Sequence, residues 1–130
     1  DGTASGHAVT KSQLDSITST AISVSEHTVN FDDSSPVTLC TLAAGSRVLS
    51  VTVEKGAGNW TNASATTNIT VGDAVDVDRL FTSFDYDGIQ VIDETDHTYS
   101  AQTALIATIT QGGATAGTAT ILIRYAGALV

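Results

Sequence analysis

Residues 107–130 read ATITQGGATAGTATILIRYAGALV, and the folding of this stretch decides the architecture. Leu105, Ala107 and Ile109 recur at every second position, and so do Ala119, Ile121, Ile123 and Tyr125. A period of two marks strands with one buried face, because successive side chains leave a strand on opposite sides. The connection QGGATAG at 111–117 holds Gly112, Gly113 and Gly117, which supply positive φ where a turn demands it. The two runs are therefore expected to pair as a terminal hairpin.

Working back from this hairpin, the same kind of pattern repeats. "HTVNF" (27–31) and "PVTLCTLAAG" (36–45) read as strands around the turn DDSSP, with Pro36 at a strand start where its missing N–H is tolerated. In "SRVLSVTVEKG" (46–56), Leu49, Val51 and Val53 are expected on one face and Ser50, Thr52 and Glu54 on the other. "NITVG" (68–72) and "IQVID" (89–93) are further strands. "DAVDVDRLF" (73–81) alternates again, placing Val75 and Val77 inward and Asp76 and Asp78 in solvent. Short strands at regular intervals, with no helical stretch between them, predict an all-β fold: an antiparallel β-sandwich, jelly-roll-like. Residues 28–130 are assigned to it. Residues 1–27 are rich in Ser, Thr and Ala and read as an extended N-terminal arm. Leu14, Ile17, Ala21 and Val24 could supply one face of a single helical turn there, but so little apolar surface needs a neighbour to order it.

Composition supports strands and excludes several functions. The 21 Thr and 13 Ser favour pleated, half-exposed positions and turns over helices. A net charge of −9, with only five Lys and Arg, repels phosphate backbones and anionic lipid; neither nucleic acid nor a membrane is an expected partner. No apolar run approaches the ~20 residues of a spanning helix. The absence of an initial Met points to processing or trimming. Cys40 is the one cysteine, so no internal disulfide and no cysteine-based metal site can form.

Candidate chemistry is sparse. His97 lies in DETDHTY beside Asp93, Glu94 and Asp96, where a solvated histidine is the expected reading. No nucleophile elbow and no histidine pair at ligand spacing accompanies it, so neither an enzyme nor a cofactor is expected. Asp85 and Asp87, followed by Gly88, resemble the start of a calcium loop, although no third ligand follows at the required spacing. Asn59, Asn62 and Asn68 match the glycosylation acceptor pattern, which chance supplies in so Thr-rich a loop. Trp60 in the same loop is a candidate sugar-stacking or subunit-contact residue, or a cap on the sandwich core. Leu14, Ile17, Ile22 and Tyr86 complete the candidate interface residues. Thr38, Thr52, Thr108 and Thr120 alternate with core positions, so the sheet exteriors are nearly uncharged and suit packing against other protein.

Across residues 45–126, "VLSVTVEKGAG", "ITVGDAVDVDRLF" and "ATITQGGATAGTATILIRYA" resemble small structural proteins of tailed bacteriophages. Val71, Gly72 and Asp73 match a turn of that group, and Gly117, Ile121, Ile123 and Tyr125 match its last hairpin. The resemblance implies a capsid decoration or cement protein on the outer head surface. It would contact the major capsid protein, self-associate as a homotrimer and use its arm to reach neighbouring subunits. The alternative is a receptor- or glycan-binding module of a fibre, a tail or a cell surface, with Trp60 and Tyr86 as stacking residues.

Overall fold

The computed structural model describes residues 22–56, 58 and 60–130. Eight strands follow one another: β1 (Ile22–Asn30), β2 (Val37–Leu42), β3 (Arg47–Lys55), β4 (Asn68–Gly72), β5 (Gln90–Asp93), β6 (His97–Thr98), β7 (Thr103–Thr110) and β8 (Thr118–Ala126). One sheet runs β1-β8-β3-β5, with β6 pairing the start of β3; the other runs β2-β7-β4. All pairings are antiparallel. Phe81 bridges back to Val71 and extends the second sheet beyond β4. From β1 to β4 each strand lies in the sheet opposite its predecessor, and the chain crosses again at β4–β5, β6–β7 and β7–β8. That interleaved order is the jelly-roll form of the expected sandwich. Among the described residues no helix is long and apolar enough to cross a membrane.

The terminal hairpin does not form. β7 and β8 belong to different sheets, so 111–117 is an arch across the sandwich. The two apolar faces were read correctly: Leu105, Ala107, Ile109, Ala119, Ile121, Ile123 and Tyr125 are all buried. They meet as opposing walls of one core instead of as hydrogen-bonded neighbours. Alternation specifies which face is buried, and the same alternation serves a hairpin or two facing sheets about 10 Å apart. The arch is clamped from outside, where Ala116 bridges Thr61 and the Thr67 hydroxyl donates to the Gln111 carbonyl at 2.9 Å.

Two further expectations change. A register shift between Val48 and Ser50 on β3 puts Val48, at 0% exposure, in the core beside Val51 and Val53, and leaves Leu49 half-buried. A bulge adds one residue and so resets which side chains face inward. β1 begins at Ile22, so residues 22–27, grouped with the arm from the sequence, pair with β8 through Ile22↔Ala126 to His27↔Ile121. Leu14 and Ile17 lie outside the described residues. Thr38 is exposed and Thr52, Thr108 and Thr120 are half-buried, while their strand neighbours Val51, Val53, Ala107, Ile109, Ala119 and Ile121 form the core. Each fully buried Val, Leu or Ile there contributes about 1.5–3 kcal/mol.

Candidate functional site

The segment after β4 was expected to be a strand and is a tight loop. Gly72 lets it turn: a Cβ at that position would lie 2.2 Å from the Asp76 carbonyl oxygen, so only glycine allows the backbone to fold back over itself. Asp73 then holds the loop shut. Its Oδ1 accepts the backbone N–H of Val75 at 3.0 Å and of Asp76 at 2.9 Å. Its Oδ2 accepts Arg79 Nε–H at 2.7 Å and the Tyr99 hydroxyl at 2.9 Å. Val75 and Val77, expected inside, are instead 89% and 45% exposed. Local hydrogen bonding to an aspartate overrides the weak strand preference of five alternating residues.

Asp73 is 3% exposed. Burial alone would raise its pKa, but Arg79, the two backbone amides and Tyr99 outweigh it and hold the carboxyl at about 2. Burial, then the bond to Asp73, pushes the Tyr99 phenol well above its ordinary value. The carboxylate thus has four donors and no free lone pair to act as a base, and the phenol stays neutral. His97 stacks edge-on against Tyr99, with centroids 4.5 Å apart and planes at 74°. This group lines an open groove of about 520 Å³, whose walls also include Ala74, Val75, Ala101 and Ala104. It can bind and position a partner. It holds no activated nucleophile.

The remaining sequence candidates are scattered. Trp60 takes the core-capping position: it is 5% exposed, packs at 4.9 Å against Phe84 and donates its Nε1–H to the Thr118 carbonyl at 2.9 Å. Its ring lies against Gly117, where a Cβ would approach within 2.5 Å. With its faces covered, it offers nothing for a sugar to stack on. Tyr86 is half-buried against the core, and Ile22 is 54% exposed on the edge strand. Asp85 Oδ1 accepts the N–H groups of Asp87 at 3.0 Å and Gly88 at 2.9 Å, which closes a turn. Among the described residues no three His, Cys, Asp or Glu gather as a metal site. Cys40 is half-buried, and burial raises its thiol pKa despite a bond from Ser25. Asp96 forms a bidentate, exposed pair with Arg47, leaving His97 outside that pair.

The outer face of the larger sheet is mixed. Glu26, Leu122, Thr52 and Ile92 form one row across β1, β8, β3 and β5, beside Val24 and Arg124. Ile22, Val24 and Ile92 are each more than half exposed there.

Comparison with known proteins bears on this geometry. The chain is similar to a chain of the "Cyanophage Pam1 capsid asymmetric unit", at 24% identity and a TM-score of 0.64, covering 80% of this chain and 83% of that one. It is also similar to a chain of the "Acidic stable capsid structure of Helicobacter pylori bacteriophage KHP30", at 17% identity and a TM-score of 0.66, covering 84% and 87%. The likeness is one of fold. No family model and no curated protein matches the chain.

Sequence reading missed the group of Asp73, Arg79 and Tyr99. The VGD turn was legible as a turn. Nothing in the chain, however, announces that Tyr99, 26 positions away, returns to the same carboxylate.

Proposed function

We propose that this chain is a non-enzymatic structural protein of a phage virion, and more finely a decoration or cement protein on the outer head surface. The observation that carries the reading is the likeness of nearly the whole jelly roll to chains from two phage capsid structures. Several features agree with it. The net charge of −9 suits a surface away from packaged DNA. The Thr-rich sheet exteriors, with Ile22, Val24 and Ile92 exposed among them, suit packing against protein. The buried indole of Trp60 removes the main support for a glycan-binding module. In this role the chain binds the major capsid protein across capsomer boundaries and adds contact area that resists internal pressure. Many copies make individually weak contacts sufficient. A homotrimer is the unit, and the segment at 1–21 that precedes β1 reaches neighbouring subunits.

The test is reconstitution. Shells lacking the protein are mixed with the full chain, and attachment is read by co-sedimentation while shell integrity is followed on heating. Saturable attachment that raises the disruption temperature is expected. A chain that stays in the supernatant at every concentration overturns the reading. Removal of residues 1–21, which leaves every described strand in place, is expected to weaken attachment without unfolding the domain.

A further inference from the structure

A sheet edge presents a row of unpaired N–H and C=O groups, and folded proteins ordinarily cover or shorten it. Among the described residues, three of the four sheet edges are treated so. The end of the chain lies along β2, where Ala43 N–H donates to the Ala128 carbonyl and Val130 N–H to the Thr41 carbonyl. Leu80 and Phe81 return their N–H groups to the Val71 carbonyl on the outer side of β4. At the far edge of the larger sheet, β5 and β6 are only four and two residues long. β1 is different. Its nine residues keep one unbroken register with β8, and no described strand pairs with its other side. The register settles which groups stand free. Phe31 N–H donates to the Gly117 carbonyl, so Ser23, Ser25, His27 and Val29 turn their amides toward β8. Ile22, Val24, Glu26 and Thr28 turn theirs outward. Asn30 keeps the same parity, since its N–H goes to Asp33 Oδ2 instead of to β8. Neither proline, lysine nor a bulge blunts the strand. Behind it Ser25 and His27 are only half-buried, so the sandwich is open on this side.

We propose that β1 is the docking edge for an extended segment of the shell protein, which joins the larger sheet as a further strand. The inference rests on the shell-attachment part of the proposed function and names the surface that makes the contact. The chain itself disfavours two nearer occupants. Residues 16–23, SITSTAIS, hold no Gly, Pro, Asn or Asp for the tight turn that would fold the preceding segment back onto β1. Full antiparallel overlap of two β1 strands would set Glu26 opposite Glu26, between chains of net charge −9. The complementary occupant is a neutral-to-basic strand. It places apolar side chains beside Ile22 and Val24, both more than half exposed, and a cation beside Glu26, the one acid on β1.

Proline separates the free edge from the ladder. At Val24 it removes an N–H that points away from β8. Val24→Pro is therefore expected to keep the fold and to weaken attachment to shells lacking the protein at least about tenfold. Ser25→Pro removes a ladder N–H and is expected to loosen β1 itself. Residue-resolved hydrogen exchange on the wild-type chain reads the same edge without a substitution. The Val24, Glu26 and Thr28 amides are expected to exchange fast in the free chain and to become protected on the shell, while Ser25, His27 and Val29 are protected in both. Undiminished attachment of a folded Val24→Pro chain overturns the inference and leaves shell binding standing. So does a bound chain whose Val24, Glu26 and Thr28 amides stay fast. If those amides are already slow in the free chain, the edge belongs to the N-terminal segment, or to a second copy where protection grows with concentration, and the inference equally falls. A wild-type chain that never attaches refutes the shell reading and takes this inference with it.

Discussion

Replacing Asp73 by asparagine isolates the one buried charge that organises the loop. The wild-type carboxyl titrates at about 2, against 3.8 in an unfolded chain. A depressed acid favours the folded state above its unfolded pKa, and that contribution is lost as pH falls. The difference is worth about 2 kcal/mol, fully present at pH 6 and lost progressively between about pH 5 and pH 2. The substituted amide can still accept the Val75 and Asp76 N–H groups through its oxygen, but it carries no charge for Arg79 and turns its NH2 donor toward both Arg79 and Tyr99, which Oδ2 had accepted from. The Asp73→Asn variant is expected to be less stable than wild type by about 3 kcal/mol at neutral pH, as for a buried ion pair that loses one member. The gap should narrow by about 2 kcal/mol at pH 2. Urea unfolding followed by the fluorescence of buried Trp60 reads both. Exposed acids such as Asp78 and Asp96 titrate in both proteins and cancel in the difference. A wild-type-minus-variant gap that stays constant from pH 6 to pH 2 would refute the assignment of the buried charge to Asp73.

Gly117→Ala drives a Cβ into the Trp60 ring and is expected to lower stability by about 2–3 kcal/mol with a red-shifted Trp emission, measured in the same urea experiment. Trp60→Ala opens the end of the core and is expected to be worse, at about 3–5 kcal/mol, by thermal or chemical denaturation. Gly72→Ala forces the loop off its own backbone; it should destabilise and also abolish the pH-dependent component described for Asp73. The Cys40 thiol, raised in pKa by burial, should react slowly with a disulfide reagent in the folded chain and at the free-thiol rate in urea.

The sequence by itself determined the class of fold and most of its inward faces. In β7 and β8 a period of two is enough to say that Leu105, Ala107, Ile109, Ala119, Ile121 and Ile123 share a core, because pleating is a local property of the backbone. Only the tertiary structure decided which strands pair. An alternating strand carries no label for its neighbour, so the closing runs resembled a hairpin although they face each other across an arch. The bulge at Val48–Ser50 was hidden for a related reason, since one residue out of register leaves no mark on composition. The candidate site was least legible of all. Val75 and Val77 alternate like core residues, but Asp73 collects two nearby amides, Arg79 and the distant Tyr99, and that long-range convergence turns an apparent strand inside out. Hydrophobic periodicity is written along the chain; the partners of a buried charge exist only once the chain has closed around it.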